Sequence, residues 1–254
     1  MRIVMMAQEE PVYMGPYLIE VMRARAKDVV ALAIAPQRSI AGKETDDQRK
    51  AMWLMLEPWS FLKAIATRGA AKLTGWRSLE AAARRLGIPV IRFEKANDPE
   101  FLNQLRALNP DIVFNQSELL LKEEILKLPR LGVVNRHGSW LPKYRGRVGS
   151  WWAHAAGEKE IGITVHFVDS GIDSGPIIHQ ESFPSDPRWS YGRVIERLFR
   201  LSPAVVLRGF EKLERADFEP IPNEWQKDGS PARKFPTMDE VLAYRAALAE
   251  RRRS

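Results

Sequence analysis

The strongest constraint on the fold is a set of short apolar runs that leave no room for a solvated face. Arg2–Ala7 and Asp28–Ala35 (Asp-Val-Val-Ala-Leu-Ala-Ile-Ala) carry apolar residues at successive positions rather than at alternate ones. A strand of that kind is buried on both sides, as in a parallel sheet covered by helices. Tyr17–Ala26 between them reads as a helix, so the chain opens as a βαβ unit.

The rhythm continues with a helix near Ser78–Leu86, a strand at Pro89–Arg92, a helix near Asp98–Leu108 and a strand at Asp111–Phe114. A short helix at Glu123–Leu128 and a strand at Gly132–His137 follow. Ile163–Val168 and Pro176–Gln180 again read as strands. Ser190–Leu213 reads as a helix that Pro203 should break or kink, and Met238 to about Glu250 as a last helix. The expected fold is α/β: an open, mostly parallel Rossmann-like sheet with right-handed crossovers, helices on both faces and a small C-terminal extension. The expected division is a main domain over 1–214 and an extension over 215–254. No Gly-x-Gly-x-x-Gly follows the first strand, which disfavours a dinucleotide site.

Residues 37–77 interrupt this order. Lys43-Glu44-Thr45-Asp46-Asp47 is loop-like, and Met52, Trp53, Met55, Trp59 and Phe61 form an apolar cluster soon after. The expectation is a helical insertion packing its apolar side on the domain; a lid over a ligand is the alternative.

The absence of cysteine removes thiol nucleophiles, disulfides and cysteine metal sites, leaving His, carboxylates, hydroxyls and amides for chemistry. A net charge of +7 and a pI of about 9.7 favour anionic partners. Arg251-Arg252-Arg253 reads as a solvated helix end, with a phosphate or nucleic-acid contact as the alternative. The apolar start is too short for a signal-peptide core, and no run approaches the roughly 20 apolar residues of a membrane span. A cytoplasmic protein without a membrane partner is expected.

In Val133-Val134-Asn135-Arg136-His137 a strand places Asn135 and His137 on one face, so an amide and an imidazole point together. The strand Ile163–Val168 leads into Asp169-Ser170-Gly171-Ile172-Asp173-Ser174-Gly175-Pro176, a glycine-punctuated loop that can bring a carboxylate close to a ligand. Asp169 reads as a loop or cap residue, His154, His166 and His179 as structural, and Trp140, Trp151 and Trp152 as core. His166, Asp169, Asp173 and His179 match no standard metal-ligand spacing, and no metal is expected.

Asn135-Arg136-His137-Gly138-Ser139-Trp140-Leu141-Pro142-Lys143-Tyr144-Arg145-Gly146 resembles the Asn-x-His-x-Ser-x-Leu-Pro-x-Tyr-Arg-Gly signature of 10-formyltetrahydrofolate-dependent formyltransferases. Gly162–Phe167 and Gly171–Ile178 resemble its downstream partner. The resemblance implies that Asn135, His137 and Asp173 are the catalytic residues and that 10-formyltetrahydrofolate is the formyl donor. It also implies that Ser117, Glu118, Leu119, Leu120, Leu121 and Ile172 line the folate pocket, although Asn115-Gln116-Ser117-Glu118 is more polar than is usual in the family.

The implied acceptor is a primary amine on a small phosphate-bearing molecule. The His137-Gly138-Ser139 form resembles the methionyl-tRNA and amino-sugar branches more than the purine branch. The stretch after Asp186 is short for the C-terminal barrel of a methionyl-tRNA formyltransferase, so a nucleotide-linked amino sugar is the first expectation. Methionyl-tRNA and glycinamide ribonucleotide remain alternatives, as does hydrolysis of 10-formyltetrahydrofolate with water as acceptor. A non-enzymatic RNA-binding protein on an α/β scaffold is the rival drawn from charge. The motifs leave open the oligomeric state.

Overall fold

The computed structural model describes residues 1–35, 46–229 and 231–253. Seven strands form one sheet: β1 (Ile3–Gln8), β2 (Val29–Ala35), β3 (Val90–Arg92), β4 (Ile112–Gln116), β5 (Gly132–His137), β6 (Glu160–Phe167) and β7 (Ile177–Pro184), in spatial order β3-β2-β1-β4-β5-β6-β7. Strands β1 to β5 are parallel, whereas β6 runs antiparallel to β5 and β7 antiparallel to β6. The open, mostly parallel α/β expectation therefore holds, with an antiparallel hairpin closing one edge.

Both faces of the central strands are buried, as their uniform runs require. Ile3, Met5 and Ala7 of β1 face a core shared with α1 (Met14–Ala24), α3 (Leu79–Arg85) and α7 (Tyr191–Leu213). Val4 and Met6 face a second core with Phe101, Leu102 and Leu105 of α4 (Pro99–Leu108) and Ile125 of α5 (Glu123–Leu126). The strand order reverses between β1 and β4. The carboxyl ends beside that reversal are where open α/β sheets bind ligands.

Three elements differ from expectation. Pro203 does not break α7, which runs unbroken from Tyr191 to Leu213 with Pro203 buried. A short helix that the sequence reading does not include, α6 (Gly149–Ala155), follows β5; no polar cap announces it, since Val148 precedes it in a left-handed conformation. The insertion is α2 (Asp46–Thr74), two helical segments joined at Glu57, whose φ of 61° departs from helix, with Pro58 opening the second. Residues 37–45 of the expected insertion lie outside the described residues.

The packing expectation holds in part: Met55 is in the core and Met52 and Phe61 pack against it, whereas Trp53 and Trp59 are exposed, as are Leu62 and Ile65 further along the second segment. Residues 215–229 and 231–253 pack back against the domain, with the last helix on α2 and α6. The last helix, α8 (Met238–Arg251), starts with a Thr237–Glu240 capping box and packs Tyr244 on Trp151. Arg251 donates to the carbonyls of His154 and Ala155, and Arg252 to Glu57 at the α2 bend. Arg251 thus braces the end of α6 and Arg252 pairs at the surface with the α2 bend, whereas Arg253 is exposed, as the solvated-end reading expects.

Candidate active site

Strand β5 divides its side chains as the period of two demands. Arg136 faces the α1–α7 layer, its guanidinium 5.0 Å from the Tyr17 ring and 4.5 Å from the Phe199 ring. Asn135 and His137 share the other face, at the carboxyl end of the sheet. In the paired strand β6, His166 stands directly opposite Asn135.

Asp173 joins these groups. It sits in the loop between β6 and β7 with a φ of 48°, a left-handed conformation rare for a residue with a side chain. One carboxylate oxygen, Oδ2, lies 3.3 Å from His137 Nδ1, and the other, Oδ1, lies 3.6 Å from His166 Nε2. The Gly146 N–H donates to Oδ2 at 2.7 Å. Burial pushes the Asp173 carboxyl up, but the facing His137 and His166, the Gly146 N–H and the nearby Arg145 outweigh it. The net result is a carboxyl below its ordinary value.

The two imidazoles are anchored differently. His137 Nε2 donates to the Tyr144 carbonyl at 3.0 Å, leaving Nδ1 towards the carboxylate. His166 Nδ1 donates to the Phe167 carbonyl at 2.7 Å, so in the neutral ring Nε2 is an acceptor towards Asn135 Nδ2 at 3.5 Å. Burial holds His166 below its ordinary pKa, against the pull of Asp173. Gln116, at the end of β4, donates to Asn135 Oδ1 at 2.5 Å, which fixes the amide with its N–H₂ away from β4.

The loops around this cluster are braced from several sides. The Thr164 hydroxyl donates to the Ser139 carbonyl and accepts from the Leu141 N–H, holding the turn that contains a cis Leu141–Pro142 bond. Gly149 lets α6 approach: a Cβ there would lie 2.7 Å from His137 Nε2. From the C-terminal stretch, Asn223 Nδ2 donates to the carbonyls of Asp173 and Gly175, each at 3.0 Å, and Trp225 lies 4.2 Å beneath the Arg145 guanidinium. Arg233 accepts from the Arg147 N–H and donates its own N–H to the Arg145 carbonyl. These two bonds straddle Gly146, where a Cβ would run into the Arg233 backbone.

The structure brings Asn135, His137 and Asp173 together as expected. It adds His166, which sequence reading assigned a structural role, and the unforeseen Gln116 and Asn223. A signal for His166 was available: Thr164 and His166 are polar residues on one face of an otherwise apolar strand, placed to meet β5. Asn223, some fifty residues beyond Asp173, carried none.

The residues expected to line a folate pocket split. Leu119 and Leu121 pack against the α4–α5 core, whereas Leu120 and Ile172 are exposed. Glu118 reaches to 3.6 Å from Arg147, and the Ser117 N–H and hydroxyl both donate to Asn115 Oδ1. Trp151 is core as expected, but Trp140 is nearly half exposed. Asp169 holds its own loop, accepting from the Ser174 hydroxyl and the Gly171 N–H. His179 pairs with Glu181, and among the described residues no group of three or more acidic or histidine side chains is arranged to hold a metal.

The β1–α1 loop closes two helix ends with its own carboxylates. Glu10 accepts from the N–H groups of Val12, Tyr13 and Met14 at α1, and Glu9 from the Ser78 hydroxyl and the N–H groups of Leu79 and Glu80 at α3. Both positive helix ends are thereby neutralised from within the chain.

A family model described as formyl transferase matches residues 1–208, a span that contains Asn135, His137, His166 and Asp173. The chain belongs to the formyl transferase family. A methionyl-tRNA formyltransferase of Kosmotoga olearia is 33% identical over 165 residues, which cover 65% of this chain and 53% of the relative. The chain spans about half the length of the curated relatives it matches. A phosphoribosylglycinamide formyltransferase from Bacillus halodurans superposes with a TM-score of 0.58 at 20% identity, covering 86% of this chain and 100% of that one. A sugar 3N-formyl transferase, solved in the presence of dTDP and 5-N-formyl-THF, gives 0.51 at 17% identity, covering 88% and 66%. At these identities the two superpositions establish the formyl transferase fold, not the acceptor.

Proposed function

We propose that this protein transfers a formyl group from 10-formyltetrahydrofolate to a primary amine of a phosphate-bearing acceptor. The single observation that carries the reading is the Asp173 carboxylate bracketed by His137 and His166, beside an Asn135 amide fixed by Gln116. Attack of an amine on the formyl carbon forms a C–N bond, leaves negative charge on the formyl oxygen and positive charge on nitrogen, and ends with the donor nitrogen leaving. Asn135 Nδ2 supplies a hydrogen-bond donor for that oxygen. His137 Nδ1 gains a favourable contact with Asp173 only when it carries a proton, which suits a group that takes a proton from the amine and returns one to the leaving nitrogen. Asp173, held ionised, supports that exchange. His166, whose neutral Nε2 accepts from Asn135, keeps that amide in place.

Folate fits the mouth of the site through the exposed Leu120 and Ile172, one on each of two loops beside the cluster. With Glu10 and Glu9 closing the ends of α1 and α3, the acceptor's phosphates are assigned to the opposite rim, where the backbone pairing beside Gly146 brings together Arg147 and the exposed Arg233; Arg145 is buried there, its guanidinium on the Ile172 carbonyl and the Trp225 ring. A nucleotide-linked amino sugar is the acceptor we place first, because its diphosphate would meet that rim while a small amine reaches Asn135. Methionyl-tRNA is the second reading, favoured by the names of the curated relatives.

Incubation with 10-formyltetrahydrofolate and a panel of acceptors tests this: nucleotide-linked amino sugars, methionyl-tRNA, glycinamide ribonucleotide and no amine. Tetrahydrofolate release matched by formylated product is the expected outcome, with His137→Ala as the inactive control. Release without an amine would make the protein a hydrolase. No release with any acceptor would sink formyl transfer.

A further inference from the structure

The second segment of α2 is an amphipathic helix turned inside out. Towards the protein it shows Phe61, packed against the core, and the small residues Ser60, Ala64, Thr67 and Ala71, of which the first three line a cleft with Tyr13, Tyr17 and Phe199. Away from it stand Trp59, Leu62, Ile65 and Leu73, exposed by 79, 57, 52 and 87%, with Ala66, Gly69 and Ala70 among them. At 100° per residue these seven form one outward stripe, about 20 Å long at 1.5 Å rise per residue. Trp76, just past the helix end, is also exposed. An uncovered apolar ridge of this size marks an interaction surface.

Charge selects the occupant. Residues 58–77 contain no Asp or Glu, and the cations of the helix, Lys63, Arg68 and Lys72, lie beside the stripe rather than within it. Lys63 pairs with Glu196 at an exposed site, and the exposed Arg68 only approaches the partly buried Glu10, so an external anion can exchange with either contact. Two copies packed ridge to ridge would set these cations against one another with no carboxylate on either segment to answer them. Nucleic acid would satisfy the cations but give Leu62, Ile65 and Leu73 nothing to bury against. A bilayer carrying anionic headgroups satisfies both, with the ridge in the acyl boundary and the Lys and Arg side chains at the headgroups.

We propose that the Trp59–Leu73 ridge docks this protein in the plane of an anionic lipid surface. Among the described residues no helix is long and apolar enough to cross a membrane, so the contact is peripheral. This departs from the expectation of no membrane partner, which rested on the lack of a spanning run. It is independent of which amine is formylated.

The test pellets the full chain with vesicles of phosphatidylcholine alone or mixed with phosphatidylglycerol. Anionic vesicles should carry the protein down, neutral ones much less, and rising salt should release it. Leu62→Ser combined with Leu73→Ser should weaken binding about tenfold or more while leaving the unfolding temperature unchanged, since both side chains are exposed. Failure to pellet with anionic vesicles, or undiminished binding by the double variant, overturns the proposal. So does an oligomer in sedimentation velocity that the double variant dissolves, because the ridge would then belong to a second copy.

Discussion

Asp169 and Asp173 lie four positions apart in one loop, yet the fold makes different groups of them. Asp169 is exposed and spends one oxygen on its own turn, accepting from the Gly171 N–H and the Ser174 hydroxyl. Asp173 is largely buried, and its oxygens face residues from β5, β6 and the Tyr144–Gly146 turn. A carboxylate satisfied locally is a structural device, common in any turn. One whose partners come from three separate segments is held in place by the tertiary fold, and removing it from water makes each facing charge count for more.

The most severe way to test that contrast is Asp173→Asn. On the formyl-transfer reading it should lower kcat by roughly a hundredfold to ten-thousandfold, while the circular dichroism of the folded protein is retained; turnover near wild type would place Asp173 with Asp169. His166→Gln is expected to act less strongly, about tenfold on kcat, because it reaches the reaction through Asn135. It has a second readout. Burial lowers the pKa of His166 below the 6.5 of a free imidazole, so in the interval between its folded and ordinary values the unfolded chain binds more protons. Stability therefore falls as pH drops below about 6.5. His166→Gln should flatten part of that slope in thermal unfolding curves taken across the interval, and an unchanged slope would remove His166 as its source.

The same contrast explains how much the sequence revealed. The two-sided burial of β1 and β2 was legible because uniform runs such as Val29–Ala35 have one physical explanation. Asn135 and His137 were legible as a pair because strand period alone puts them on one face, and the resemblance supplied Asp173. What stayed hidden depends on segments distant in sequence. The role of His166 needed its register opposite Asn135, and that of Gln116 needed β4 beside β5. The short helix α6 was missed because Val148, a β-branched residue in a left-handed conformation, gives no start signal. The outward face of α2 was missed because an apolar helical period says how side chains cluster, not which side meets the protein.

Asn223 gives a finer test of whether the C-terminal stretch is part of the site. Its amide ties the carbonyls of Asp173 and Gly175, so it is a positioning residue for the loop rather than a group that touches the reacting atoms. Asn223→Ala should lower kcat/KM by about tenfold, the cost of one or two lost hydrogen bonds. If its role is positioning, kcat carries most of the loss; a change confined to unfolding temperature would make the stretch a structural brace only.

The smallest effect should come from Asp169→Asn, the control for the whole comparison. The amide oxygen can still accept from Gly171 and Ser174, and the exposed site lets water replace whatever geometry is lost. The expected destabilisation is about 1 kcal/mol or less in denaturant unfolding, with kcat within about threefold of wild type. A loss of turnover as large as that of Asp173→Asn would erase the distinction drawn between the two carboxylates. It would mean that the turn around Gly171 is as finely coupled to the imidazoles as Asp173 itself.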